Sequence, residues 1–299
     1  MSLIAKAVKR PWLVLPYLIV KFGKHMDDET YIKILYFLRN GKKLNLENPK
    51  TYFEKINWIK LHDRRPEYTV MADKYRSKKY VGEKIGYEYI IPIVRGGVWE
   101  DADAIDLDLL PDQFVLKTTH DGGNTYICTD KKTFDFEGVR RRLKEALKRN
   151  YYYLSREWPY KNIRPRIICE KYIPGIVDCN YKFFCFDGTV RFLYVAPYRE
   201  QTADYFDGDY QYLPGIHNAF HGGSQNPSPK PENFEKMKEL AQILSKGYPQ
   251  MRVDFYNDHG KIYFGEITFF QEGGFAPWIP DEWNVKFGNY IDLEMCQNA

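Results

Sequence analysis

Two pairs of apolar runs in the last third of the sequence constrain the fold most. Residues 180–186 pair naturally with 189–195, and 252–257 with 261–268. Their connectors, Asp187-Gly188 and Asp258-His259-Gly260, are short and glycine-bearing, so each pair predicts a β-hairpin. A helical pattern at about 232–246 separates the pairs, which calls for a sheet covered by a helix. The Gly-, Pro-, Asn- and His-rich stretch 198–231 is expected to be a long functional loop.

Upstream, residues 27–85 read as helical. Ile32, Leu35, Tyr36 and Leu38 recur at helical spacing, Asn48-Pro49 breaks the pattern, and Thr51 is placed to cap a second helix. A third helix is expected from Tyr68 to about Ile85, stopped by Gly86. Residues 89–94 then predict a short strand. Strands at 113–117 and 124–128 flank the glycine-bearing loop 118–124, a helix follows at 136–150, and 166–173 reads as a strand ended by Pro174-Gly175.

Composition excludes several classes. With 299 residues the chain suits two or three packed subdomains, and 44% hydrophobic with 28% charged residues is ordinary for a globular protein. Residues 1–24 carry five basic side chains and no acid, which leaves −1 on the rest of a chain whose total is +4. That balance argues against a broad nucleic-acid-binding face. Five scattered cysteines (Cys128, Cys169, Cys179, Cys185, Cys296) fit reduced thiols of a cytoplasmic protein better than a disulfide framework. The apolar run 11–20 holds two prolines and is too short to span a bilayer. It reads either as an N-terminal helix packed on the domain, or with residues 1–24 as a basic segment resting peripherally on an anionic membrane at the inner face.

Chemistry concentrates near the end. Asp254 and Glu266 fall on the two arms of the last hairpin, with Arg252, Asp254 and Tyr256 on one face of their strand. Phe264, Glu266 and Thr268 share a face of the other. Two adjacent carboxylates repel unless a cation lies between them, and magnesium with nucleotide phosphates fits oxygen donors of this kind. The plain alternative is solvent-facing charge on a hairpin. Lys117, Lys171 and Lys182 lie in apolar strands, where a polyphosphate would partner them, although each can also snorkel to the surface. The loop 118–124 can fold over phosphates or be a simple turn; residues 170–178 can present backbone to an adenine and a carboxylate to a ribose. Walker A, dinucleotide, nucleophile-elbow and His-Glu-x-x-His patterns are all missing.

Taken in order, Asn48-Pro49-Lys50-Thr51, Glu54-Lys55-Ile56, Ala72-Asp73-Lys74-Tyr75 and Leu110-Pro111-Asp112-Gln113-Phe114-Val115-Leu116-Lys117 open an ordered series. Ile168-Cys169-Glu170-Lys171, Arg252-Val253-Asp254-Phe255-Tyr256 and Gly265-Glu266-Ile267-Thr268-Phe269 complete it. Across about 28–290 the chain resembles the TupA-like branch of the ATP-grasp superfamily, linked with teichuronopeptide and other surface polysaccharides. The resemblance implies an α+β ATP-grasp fold: a helical segment (1–45), an α/β subdomain (46–112), a small lid subdomain (113–175) and a C-terminal subdomain with the metal site (176–299). ATP and Mg2+ are the implied cofactors. Lys74 and Lys117 would contact ATP phosphates, with Asp121, Gly122, Gly123 and Asn124 closing over them. Glu170, Lys171, Tyr172 and Ile173 would form the adenine hinge, with Asp178 at the ribose and Lys182 on a phosphate. Asp254 and Glu266 would hold magnesium, Arg252 would steady the transferred phosphate, and Thr268 stands where many superfamily members carry a metal-binding Asn.

The implied reaction is ADP-forming amide synthesis, through an acyl phosphate, between an amino acid and the carboxylate of a uronic-acid-containing sugar or polysaccharide. Arg199, His217 and His221 are candidate acceptor-side groups. The alternative is a glycosyltransferase of capsule or cell-surface polysaccharide synthesis, for which Asp101-Ala102-Asp103, Asp106-Leu107-Asp108 and Asp207-Gly208-Asp209 would supply the Asp-x-Asp pair.

Overall fold

A computed structural model describes residues 15–177, 180–196, 202–218 and 227–296. The N-terminal part is helical: α1 (Leu15–Phe22), α2 (Asp28–Asn40), α3 (Tyr52–His62), α4 (Glu67–Ala72) and α5 (Arg76–Ile85). Thr51 caps α3 as its sequence suggests. Its Oγ1 accepts from the Glu54 N–H at 3.3 Å, and the Glu54 carboxylate accepts from the Thr51 N–H at 2.9 Å. Ile19 and Val20 of α1 pack on the main core while Leu15, Tyr17, Leu18 and Phe22 stay exposed, so one face of the apolar segment rests on the domain. Among the described residues no helix is long and apolar enough to cross a membrane.

The helix expected across 68–85 is two helices. The Asp73 side chain accepts from the Tyr75 N–H at 2.9 Å and the Arg76 N–H at 3.4 Å, ending α4 and starting α5. A short acid that bonds nearby backbone in this way competes with the helical ladder. The break brings the Lys74 N–H to the Thr119 carbonyl at 3.1 Å.

A four-stranded antiparallel sheet follows, in the order β1-β4-β2-β3, from β1 (Ile93–Trp99), β2 (Phe114–Thr118), β3 (Thr125–Cys128) and β4 (Ile167–Lys171). The first strand starts later than the expected 89–94, because Tyr87–Tyr89 forms a 3-10 turn and Pro92 has no N–H to give a ladder. Phe114, Leu116, Ile167 and Cys169 meet Val139 and Leu143 of α6 (Phe136–Leu147) in a separate small core.

The second sheet runs β7-β6-β5-β8-β9 and is antiparallel throughout. It comprises β5 (Asn180–Phe186), β6 (Thr189–Ala196), β7 (Asp204–Asp207), β8 (Met251–Asp258) and β9 (Lys261–Thr268), so both expected hairpins form. The strand β7 lies inside the stretch expected to be loop. One face is covered by α7 (Phe234–Ser245), with Phe183 and Phe234 ring centroids 5.9 Å apart. On the other, Phe184 stacks on Phe192 at 4.2 Å, and Phe192 on Phe287 of α8 (Glu282–Gly288) at 3.6 Å. Trp278 and Tyr52 close that end. The same face carries Lys182, Arg252, Asp254 and Glu266 further along, because register pairs Lys182 with Asp254 and Asp254 with Glu266. Hydrophobic fill thus stops where the charged cluster begins. The four described cysteines, Cys128, Cys169, Cys185 and Cys296, are buried and free; Cys179 lies outside the described residues.

Candidate active site between the two sheets

A cavity of about 370 Å³ lies between the sheets, walled by Val115 and Lys117 of β2 on one side and by Tyr256, Gly265 and Glu266 on the other. Residues 171–173, leaving β4, line its edge. Lysines reach it from five separate places: Lys74 from the α4–α5 break, Lys78 from α5, Lys117 from β2, Lys171 from the end of β4 and Lys182 from β5.

Glu170 organises two of them. Its carboxylate is 6% exposed and takes Lys78 Nζ on Oε1 and Lys117 Nζ on Oε2, both at 2.6 Å. Burial alone would raise this acid, but the charges of Lys117 and then Lys78 hold it down to about 2. Burial likewise opposes the Lys117 ammonium, yet Glu170 overrides it and raises its pKa. Lys78, sharing the same carboxylate, is left lowered because burial and the Lys117 charge outweigh the attraction. Glu170 therefore acts through its side chain as a lysine anchor, while 171–173 line the cavity edge.

Asp254 is fully buried and both its oxygens are engaged. Arg252 donates from Nε to Oδ1 at 2.7 Å and from Nη2 to Oδ2 at 2.8 Å, and Lys182 Nζ donates to Oδ2. Arg252 Nη2 also reaches Glu266 Oε1 at 3.0 Å, and Nη1 donates to Gln271 Oε1 at 2.5 Å. Burial would raise Glu266, but Lys74, Arg252, Lys182 and Lys117 hold it down to about 2. Lys182, which burial would lower, is raised by Asp254. The two expected carboxylates do share a face, and a guanidinium bridges them.

The expected alternation along β9 fails at one residue. Gly265 is an extra residue in the ladder, since Asp254 pairs with Glu266 but Phe255 pairs with Phe264. Phe264 consequently opposes Phe255, with ring centroids 6.3 Å apart, and Tyr263 opposes Tyr256. A Cβ on Gly265 would sit 3.1 Å from both the Asp254 carbonyl and the Tyr256 ring, so any side chain there would push its neighbours back by a few tenths of an ångström.

The loop 118–124 divides its residues between two tasks. Gly122 and Gly123 line the cavity. Asp121 and Asn124 brace the loop: Thr118 Oγ1 and Asn124 Nδ2 donate to the Asp121 carboxylate, and Tyr126 donates to Asn124 Oδ1 at 3.2 Å. Lys74 Nζ donates to the Asp121 carbonyl. Short polar side chains of this kind satisfy their own loop's polar groups before any ligand. Asp178 lies outside the described residues. Thr268 pairs with Arg252 and faces a second cavity, across Glu266 from the first.

Of the acceptor-side candidates, Arg199 and His221 lie outside the described residues. His217 is held by backbone bonds to Ile279 at 2.9 and 2.7 Å and does not line the cavity. The Asp-x-Asp pairs serve turns: Asp101, Asp106 and Asp207 each accept, at 3.0 Å, from the N–H two residues on. Residues that sequence reasoning missed include Lys78, hidden in the basic helical run Arg76–Lys79, and the second cavity's Arg39, Glu157 and Glu272.

Magnesium commonly keeps its waters and phosphates around one or two carboxylates, and the Asp254–Glu266 pair offers that donor set. Among the described residues no group of three or more His, Cys, Asp or Glu is arranged to hold a metal by itself.

Two α+β halves with a lysine-lined cleft between their antiparallel sheets define an ATP-grasp fold. Residues 54–292 match the TupA-like ATPgrasp family, and the chain belongs to it. The D-alanine–D-alanine ligase of Helicobacter pylori is similar at 14% identity and a TM-score of 0.46, over 83% of this chain and 66% of that one. A Bacillus anthracis D-alanine–D-alanine ligase complexed with ATP aligns at 16% identity and 0.39, over 67% and 54%. An L-amino acid ligase from Bacillus licheniformis aligns at 14% identity and 0.39, over 68% and 44%. The chain thus spans less than two thirds of the length of each. No curated protein matches it in sequence.

Proposed function

We propose that the chain is an ATP- and magnesium-dependent carboxylate–amine ligase of the cytoplasm, joining an amino acid to a uronic-acid carboxylate of a surface polysaccharide. The observation that carries the nucleotide part is the convergence of Lys74, Lys117 and Lys182 on one cavity beside the paired Asp254 and Glu266 carboxylates. The amide and its polysaccharide acceptor are what the family suggests.

In this reading the backbone of 171–173 receives the adenine, and Gly122 and Gly123 let the loop close on the phosphates. Bound magnesium supplies charge neutralisation of the phosphates at Asp254 and Glu266. Lys182 exchanges its Asp254 partner for a phosphate oxygen, which frees an Asp254 oxygen. Arg252, fixed by Asp254 and Gln271, steadies the transferred phosphoryl group. A substrate carboxylate oxygen attacks the γ-phosphorus, and the bond to ADP breaks with its electron pair going to ADP. The amine nitrogen then attacks the acyl carbon, phosphate departs with the C–O pair, and the nitrogen releases its proton.

The test is phosphate release across a matrix of amino acids and uronic acids with ATP and Mg2+. Release of ADP and phosphate only when both substrates are present supports the reading. An AMP product, or hydrolysis indifferent to both, overturns it.

A further inference from the structure

The second cavity also measures about 370 Å³, toward the small end of the roughly 300–1,000 Å³ typical of small-ligand sites. Glu266 and Gly122 line both cavities, so the two chambers share a wall at the proposed phosphoryl-transfer centre. Beyond Arg252, Glu266 and Thr268 of the second sheet, its wall comes from elsewhere. Arg39 arrives from α2, Tyr151, Glu157 and Tyr160 from the segment after α6, and Glu272 from the turn after β9. Arg39 and Val20 precede residue 54, where the family match begins, so this wall is partly built by the chain's N-terminal helices.

The turn carrying Glu272 is held in an uncommon conformation. Glu272 has φ 48° and is followed by Gly273 at 60° and Gly274 at 82°. A non-glycine residue in this region persists only when its surroundings impose it. Lys60, wholly buried, imposes it here: its ammonium donates to the Gly273 carbonyl, to the Ser155 carbonyl at 3.0 Å and to Asn57 Oδ1 at 2.8 Å. One buried lysine therefore clamps the two segments that deliver Glu272 and Glu157. Glu157 is only 5% exposed and accepts from Ser155 Oγ at 2.6 Å, with its carboxylate on the cavity wall.

The charges sort by their commitments. Arg252 is spent on Asp254 and Glu266. Burial pushes the Glu157 carboxyl up and the Lys60 charge opposes it, and Glu272 faces Arg39, but none of these groups is within ion-pair distance of a described partner. The two acids can therefore take a ligand's cation and Arg39, whose guanidinium lies 5.1 Å over the Phe275 ring, its anion. A chamber of this size with two acids and one arginine suits a small molecule bearing both charges.

We propose that this cavity is the amine-substrate site and binds a small α-amino acid as its zwitterion, with the ammonium between Glu157 and Glu272 and the carboxylate on Arg39. The inference rests on the ligase reading and names the site of its amine partner. It places the nucleophile beside the Arg252–Glu266 wall, next to the carbon that would carry the phosphate.

Thermal shift and calorimetry on the full chain test it, using AMPPNP with Mg2+ first and then the common L-α-amino acids added singly. N-acetyl amino acids and amino-acid methyl esters serve as controls. The expected result is a further shift with at least one free amino acid and none with its N-acetyl form. Glu157→Gln and Glu272→Gln should each weaken that binding by about tenfold or more while the nucleotide shift persists. Arg39→Met should bind the amino acid and its methyl ester equally. The retained nucleotide shift reports an intact fold, and Glu272 and Arg39 are tested apart from the more buried Glu157. A nucleotide shift with no amino-acid-dependent shift, or one that survives all three substitutions, overturns this site alone. Loss of the nucleotide shift in the unmodified protein overturns the ATP reading and this inference with it.

Discussion

Asp254 and Glu266 are direct register partners across β8 and β9, and the Arg252 guanidinium touches both, at 2.7–2.8 Å to Asp254 and 3.0 Å to Glu266. The pair differs in access. Asp254 has a side-chain exposure of 1% and Glu266 of 37%, so the first fixes the arginine and the second meets the cavity. A ligand-side role therefore falls first on Glu266, while Asp254 fixes the arginine and, in the proposed mechanism, offers the oxygen that Lys182 gives up.

Glu266→Gln separates these roles. The substitution keeps the shape and removes the charge, so turnover should fall by about a hundredfold or more. AMPPNP without metal should still raise the thermal midpoint, and the midpoint of the free protein should move little because the side chain is half-buried. Phosphate-release assays and thermal melts measure both; retained turnover would remove the metal role assigned to Glu266.

Glu170→Gln tests the lysine anchor. Losing this buried carboxylate strands two ammonium groups, with an expected cost of about 3 kcal/mol at neutral pH. The pH dependence has a defined sign. Glu170 falls from an ordinary 4.5 to about 2, so its contribution is complete above 4.5 and is lost as pH drops toward 2. Denaturant titrations across that window should show a steep acid loss in the unmodified protein and a shallower one in the variant. Parallel acid limbs would refute the anchor.

Gly265→Ala probes the bulge. The new Cβ meets the Asp254 carbonyl at 3.1 Å, and backbone cannot swing aside as a flexible side chain would. A stability loss of about 1–2 kcal/mol is expected from the overpacking. Turnover should fall further than stability, because the shift lands between Asp254 and Glu266. A variant with native turnover would show that the bulge is dispensable for the carboxylate geometry.

Much of this was legible in the sequence, for physical reasons. The hairpins at 180–196 and 251–268 announce themselves through period-two patterning and glycine turns, but unbroken register from the turn would set Asp254 against Gly265, so its place opposite Glu266 depends on the bulge. The bulge had a signal in Gly265, a glycine inside a strand, yet the shift it gives Glu266 needed the actual pairing. The strand β7 was hidden because Asp204-Tyr205-Phe206-Asp207 lacks alternation and sits among turn residues. The second cavity left no local pattern: Arg39, Glu157 and Glu272 come from three separated segments and meet only through tertiary packing. Lys60 was concealed by type, since a lysine on a helix is ordinarily read as surface.

Asp73→Ala addresses the helix break that no periodicity revealed. Asp73 is 1% exposed and bonds the Tyr75 and Arg76 N–H groups, with Arg166 Nη1 at 3.6 Å. Removing it deletes the interaction that turns the chain between α4 and α5, at a cost of about 1–2 kcal/mol for a lost cap. The residues 73–75 then gain freedom to continue the helix, which would draw Lys74 away from the Thr119 carbonyl and from the 118–124 loop. The expected kinetic signature is specific: the KM for ATP rises about tenfold, since Lys74, a proposed phosphate contact, and the loop it steadies are displaced. The kcat at saturating ATP should change much less, because Arg252, Asp254 and Glu266 lie on another sheet. Asp73→Asn, which still accepts from both N–H groups, should recover most of the ATP affinity. A KM unchanged in the alanine variant, or equal losses in both variants, would show that the break does not position Lys74.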